Sequence, residues 1–386
     1  MGKGGSAGKT SAVERLGPLA ATIPEPFKEV TKGSLRACIP AHLFKRSYVH
    51  SFGALGMDLA WVVGTWLLAV QASGALPSVL SPLVWFAYWM YQGINCTALW
   101  VLAHECGHGG FVDSRVVNDL VGFVLHSGLL TPYFSWAITH AKHHHYTNHM
   151  TNGETWVPST ASPDKASVKF AKTPLGTLRR IVVVFFLGWY TYLATNATGA
   201  KQNLGQSHFS PSSRSLFKPK DGNLVRASNL GMVLCAAVLA ACVNKWGFMA
   251  VLFNYLVPQT VCNFYLCAIT FMQHTHESVP HFNSEEWTWL RGALSTIDRS
   301  MGPHVDWRLH HIVDSHVVHH VFSDMPFYGA KAATPYVKEH LGTYYKSHFG
   351  TKVLGSEYLG YWKDFYTSMQ NAVTVGVGED GFMWFN

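Results

Sequence analysis

Charged residues are scarce in this sequence. Asp, Glu, Lys and Arg supply only 13% of its 386 positions, about half the share found in soluble domains. That is too little polar surface for the two or three soluble domains such a length would otherwise suggest. A disulfide framework is also missing. The seven cysteines form no C-x-x-C pair, and Cys96, Cys235, Cys242, Cys262 and Cys267 lie in apolar runs, a pattern of reduced thiols. Residues 1–30 are polar, rich in Gly, Ala and Ser, and lack the apolar core of a secretory signal. They read as most of a flexible cytosolic tail, residues 1–35, whose start MGKGGS fits the loose myristoylation pattern M-G-x-x-x-[ST]. Although the net charge is +7, there is no basic stripe interleaved with aromatics, which excludes nucleic-acid binding. There is no internal repeat.

Apolar mass is what the chain does have. It is 48% hydrophobic and 14% aromatic, bunched into runs rather than spread periodically. Between Asp58 and Glu105 no charged residue occurs, and PSVLSP at 77–82 divides the stretch. Each half has about the 20 residues needed to cross a bilayer core, so spans are expected at about 55–73 and 83–103. Two more are expected at 229–243 and 247–271, a hairpin joined by the short NKWG turn. The stretch 120–136, with His126 and Pro132, reads as interfacial or re-entrant, and 181–195 as lying in or near the interface. Lys28, Lys32, Arg36, Lys45 and Arg46 precede the first run, as a cytosolic flank does. The expected fold is an all-α integral membrane protein, with four transmembrane helices and a cytosolic helical cap.

Histidine is the abundant residue, 22 in all. HECGH at 104–108 matches the zinc-peptidase signature H-E-x-x-H, yet it does not stand alone. His140, His143 and His144 form HAKHH, and His316, His319 and His320 form HVVHH. On a helix, positions i, i+3 and i+4 share a face, so each cluster, His104 and His108 included, presents its imidazoles in one direction. A catalytic zinc takes three protein ligands. Eight imidazoles suit two metals instead, and imidazole serves Fe, Zn and Cu alike. A single site needs all three clusters on one side of the membrane, hence an even number of crossings between His144 and His316. That requirement places 181–195 at the interface.

Several stretches together resemble the membrane fatty-acid desaturases, most closely the oleate Δ12 (omega-6) type: WVLAHECGHGGF (100–111), LLTPYFSW (129–136), HAKHH, MQHTHESVPHF (272–282), EWTWLRGALSTIDR (286–299) and HVVHHVFSDMPFY (316–328). The resemblance covers most of the chain after residue 30. It implies a four-span desaturase domain over 36–350, a cytosolic C-terminal tail at 351–386, both termini cytosolic, and residence in the endoplasmic reticulum membrane. Also implied are two Fe ions (a di-iron centre) on the eight histidines, O2 as co-substrate, and electrons from NADH through cytochrome b5 reductase and cytochrome b5. The substrate implied is an acyl chain on a membrane phospholipid, and assembly with itself or with other desaturases is compatible. No His-Pro-Gly-Gly haem signature is present, so no fused cytochrome b5 domain is expected. Related sites carry one more histidine between the second and third clusters. Here His276 is preferred for that place and His274 is the alternative. The chain reads MPFY where many plant relatives have Met-Pro-His-Tyr, and carries His145 and His149 after the second cluster, departures that bear on regioselectivity.

The other candidates have lesser roles. Glu105 is expected to orient a ligand or tune charge, and Asp314 likewise. His145, His149, His310 and His311 are candidates to support the far nitrogen of a ligating imidazole. His126 is expected to be a hydrogen-bonded partner, Cys106 a small residue that fits, and the closing FMWFN a packed tail. Segments 83–103, 120–136 and 247–271 are the expected walls of an acyl channel. Rival readings keep the iron chemistry with another outcome (omega-3 desaturase, hydroxylase, acetylenase or bifunctional enzyme), or take HECGH as an intramembrane zinc peptidase, or leave a non-catalytic metal-sensing or lipid-binding protein.

Overall fold

The computed structural model describes residues 30–348, 351–378 and 380–385; the myristoylation pattern lies outside them. Helix is present before the expected tail boundary at 35. Thr31 caps helix α1 (Lys32–Cys38) by accepting the Ser34 N–H, and Leu35 is fully buried.

Helices α2 (Tyr48–Ala75) and α3 (Ser81–His108) follow as a hairpin. Next come α4 (Arg115–Gly128) and α5 (Tyr133–His145), bent by 106° at the break between them. The stretch 120–136, read as interfacial or re-entrant, falls across this break. After α6 (Ala166–Lys172), α7 (Pro174–Val183) continues through a π turn, Val184–Gly188, into α8 (Trp189–Thr195). The hairpin of α9 (Gly222–Trp246) with α10 (Phe248–Val251) and α11 (Val257–His274) contains a second π turn, Leu252–Leu256.

Four helices among the described residues are long and apolar enough to cross a membrane: Tyr48–Ala75, Pro174–Thr195, Pro219–Trp246 and Phe248–His274. Their number is the expected one, but the membership differs. The run 83–103 belongs to α3, which does not qualify: Gln92, Asn95 and Thr97 dilute it, and all three are buried. From Gln92 onward α3 is enclosed, packed against α2 and α11, whereas Leu83 and Phe86 near its start are exposed. An added Cβ on Gly93 would stand 2.3 Å from Val261 Cγ1, so only glycine lets α3 and α11 approach this closely.

The run 174–195 does qualify, yet both of its ends are tied to the polar part of the molecule. At one end the Lys172 carbonyl accepts a hydrogen bond from Gln370 Nε2 at 2.9 Å. At the other, Asn196 Nδ2 donates to Glu154 Oε2 at 3.2 Å, and the Thr198 carbonyl accepts from Val157 N–H at 3.0 Å.

The remaining elements form the cap: α12 (Trp289–Leu294), α13 (Pro303–Arg308), α14 (His316–Val321), α15 (Phe327–Leu341) and α16 (Glu357–Asn371). An ion pair with no exposed side-chain surface ties it to α2. Arg308 Nη1 lies 2.7 Å from Asp58 Oδ1, and His310 Nε2 lies 2.6 Å from Asp58 Oδ2. The segment expected as a C-terminal tail is folded. Strands β1 (Val375–Val377) and β2 (Met383–Phe385) pair antiparallel, and Met383 exchanges both backbone hydrogen bonds with His281. Of the closing FMWFN, Phe382 to Phe385 are buried.

Candidate metal centre

Four helix ends converge at one place. The last turn of α3 carries His104 and His108. The last turns of α5 carry His140, His143 and His144. The short α14 carries His316, His319 and His320, and His274 is the final residue of α11.

The imidazoles sort into two groups. Ligand atoms of His104, His108, His140, His144 and His319 all lie within 4.8 Å of one another, as do those of His143, His274 and His320. His316 joins the second group, its Nε2 being 3.1 Å from that of His274. Further Nε2–Nε2 separations are 3.3 Å for His104–His108, 3.1 Å for His140–His144 and 3.2 Å for His143–His274. A neutral imidazole has one N–H donor and one lone pair, so nitrogens crowded this way need a shared cation or proton between them. Protons are disfavoured: burial, helped by the neighbouring His104, holds His143 down to about 3, and neutral imidazole is the form that binds metals. His319 Nε2 and His320 Nε2 are buried with no hydrogen-bond partner in the protein. Such orphaned buried acceptors are rare without a ligand. The donor set therefore fits two imidazole-bound metal ions.

The surroundings orient these rings. Glu105 Oε1 accepts from His104 Nδ1 at 3.0 Å and lies 3.9 Å from His319 Nδ1, so one carboxylate steers a ring from each of two helices. Burial lifts that carboxyl to about 8, against a smaller opposing pull from His310. Thr147 Oγ1 lies 3.1 Å from His320 Nδ1, leaving Nε2 for the metal. Trp136 stacks on His140 at 4.3 Å between ring centroids, and Trp100 lies along His104. Thr147 carried no signal in the sequence; it matters only because α5 ends against α14.

The order of preference between His276 and His274 is reversed. His276 faces away: its Nδ1 accepts the Ser278 N–H at 3.1 Å, and its ring lines a separate small cavity with Arg299 and His348. The cause is local. Helix α11 ends at His274, and Thr275 is extended (φ −129°, ψ 101°), which turns the next side chain off the face.

The supporting candidates scatter. His126 Nε2 donates to the Trp100 carbonyl at 3.2 Å. His149 Nδ1 accepts turn N–H groups of Thr151 and Asn152, and His145 is exposed. His310 serves Asp58, while His311 and Asp314 pair with each other at 3.0 Å. Cys106 fills space beside Leu102, Phe111 and Tyr133. A zinc peptidase does not fit this geometry: five imidazoles crowd the HECGH group where a catalytic zinc would have three ligands and an open position.

A mostly apolar cavity of about 170 Å³ reaches the cluster. His104, His140, His143, His274 and His316 form one end, and Trp100, Trp136, Trp189, Leu266 and Cys267 are among its walls. Of the segments expected to wall it, 83–103 and 247–271 do so, and 120–136 contributes Trp136. The expected list lacked the π turn of 184–188.

The model of the family "Fatty acid desaturase" matches residues 80–352. Among curated proteins, a Delta(12) fatty acid desaturase of Mortierella isabellina is 40% identical over 333 residues, covering 82% of this chain and 83% of the relative. A Delta(12)-fatty-acid desaturase of Arabidopsis thaliana is 40% identical over 314 residues, covering 81% and 82%. The omega-6 fatty acid desaturase, endoplasmic reticulum isozyme 1, of Glycine max is 36% identical over 383 residues, covering 99% and 97%.

Proposed function

This chain belongs to the fatty acid desaturase family, and on that premise we propose that it is an O2-dependent acyl-lipid desaturase acting at Δ12. It inserts a cis double bond into oleoyl chains to give linoleoyl chains in the endoplasmic reticulum membrane. Electrons come from NADH through cytochrome b5 and its reductase. The observation that carries the reading is the placement of two groups of buried and half-buried imidazoles at one end of an apolar cavity. The Δ12 position is supported by the names of the relatives at 36–40% identity.

The nine histidines would hold two iron ions. When bound, the iron pair supplies the O2-dependent oxidation of an unactivated C–H bond, which lies beyond acid, base or nucleophile and is cofactor chemistry. The protein's share is positional. Glu105 and Thr147 fix the tilt and tautomer of His104 and His320. Trp100, Trp136, Trp189 and Leu266 exclude water and hold an apolar chain against the imidazole end of the cavity. Geometry of this kind lowers a barrier by holding the reacting carbons close to the oxidant.

The test is a fatty-acid profile by gas chromatography and mass spectrometry, with derivatisation to place the double bond. The chain is expressed in a eukaryotic host that makes oleate but no dienes. The expected product is the Δ9,12 diene, absent with His143→Ala. A product unsaturated or hydroxylated elsewhere keeps the iron reading and removes Δ12. An iron-loaded protein that makes no new lipid overturns the proposal.

A further inference from the structure

We propose that the acyl chain enters this cavity sideways from the lipid, through an opening in the 174–195 helix whose sill is Gly188. The inference rests on the desaturase reading and adds the route.

Three observations meet at this helix. First, Val183 and Thr191 are exposed on the outer surface and also line the cavity, so the cavity communicates with that surface here. The surface itself is apolar: Val182, Phe186 and Leu187 beside the opening are all exposed. A lipid tail, not a soluble carrier, is what such a face meets.

Second, the cavity is narrowed in two other directions. Toward the cap, Trp156 covers the cavity, its Nε1 donating to Thr270 Oγ1 at 2.9 Å. Trp156 holds φ at 54°, a left-handed conformation unusual for a bulky residue and kept only where the surroundings impose it. Away from the cap, α3 and α11 shut the space where Gly93 meets Val261.

Third, the wall is locally remade at the opening. Val184–Gly188 is a π turn, a wider turn that recurs at functional sites, and Gly188 at its end has no side chain. A Cβ there would stand 3.2 Å from Cys267 Sγ on α11 and 3.3 Å from Val184 Cγ1. Any larger residue would press on Cys267 and Val184 and change how the two helices meet, so Gly188 is a specificity-determining position.

The same closeness supplies the test. The variant Gly188→Cys puts a second thiol against Cys267, within reach of disulfide geometry. In microsomes, diamide should oxidise the pair and close the opening, and dithiothreitol should reopen it. Diene formation is expected to fall about tenfold on oxidation when about nine-tenths of chains are cross-linked, since only the open fraction turns over, and to recover on reduction. Recovery shows that the fold survived. Cys267→Ser combined with Gly188→Cys should lose the redox response. Gly188→Leu should show the same loss permanently while retaining the iron content of the unmodified chain. Undiminished turnover by a chain shown to be cross-linked, or by Gly188→Leu where no cross-link forms, overturns the side entry and leaves the desaturase reading standing. An unmodified chain that makes no diene in the same microsomes removes the desaturase reading, and the side entry with it.

Discussion

His274 and His276 lie two residues apart, and their exchange of roles is open to a direct test. His274 Nε2 is 3.2 Å from His143 Nε2 and 3.1 Å from His316 Nε2, so it sits at the centre of the second imidazole group. Even a residue that only supports a ligand is worth 10- to 100-fold in metal affinity. A direct ligand at the centre of the group should exceed that, so His274→Ala is expected to weaken one metal position by at least about 100-fold, or about 2.7 kcal/mol. The other position, held by the group of His104, His108, His140, His144 and His319, should stay loaded. Iron per purified chain, measured by plasma mass spectrometry, should therefore fall from about two to about one, and diene formation should be lost. His276→Ala should keep both irons, because its Nδ1 is engaged with Ser278 on the far side of the turn. If His276→Ala loses iron while His274→Ala keeps it, the assignment drawn from the end of α11 is wrong.

Two further outcomes are expected. Glu105→Gln preserves volume but replaces one of the two acceptor oxygens facing His104 and His319 with an N–H donor, so turnover should drop roughly 10- to 100-fold with the protein still folded; full activity would mean that the Glu105 side chain does not hold those rings. Asp58→Leu strands Arg308 without its buried partner, which should cost about 3–5 kcal/mol and visibly lower the unfolding temperature of the detergent-solubilised protein. An unchanged temperature would show that the α2-to-cap link is not a fastening.

The parts of the site legible in the sequence were those carried by local geometry. His104 with His108, and His140 with His143 and His144, share a face through helical spacing alone, so their convergence within each cluster needed no tertiary knowledge. His274 was ranked too low because its role depends on where α11 stops. One more helical residue would have altered the direction of every side chain after it. Thr147 and the stacking of Trp136 were not legible, since both depend on which helix end meets which. The opening at Gly188 was hidden for a different reason: a π turn is a one-residue slip in hydrogen bonding, and VFFLG carries no proline or cap to announce it.

The spans show where hydropathy stops being informative. It reports what a segment is made of, while crossing depends on what surrounds the segment. Helix α3 is too polar to qualify alone, yet its Gln92 and Asn95 are satisfied by groups on α2, including the Val62 carbonyl and Thr65, so a neighbour removes the cost that lipid would have imposed. The run 174–195 qualifies on its own, but Gln370 and Glu154 hold its two ends to the cap. The histidines resolve the conflict. Their convergence requires an even number of crossings between His144 and His316, and with 219–246 and 248–274 forming a hairpin, a third crossing at 174–195 would split the imidazole groups across the bilayer. We therefore propose that this helix, apolar enough to cross yet held at both ends, lies along the membrane surface. That is the position from which an opening at Gly188 would meet lipid.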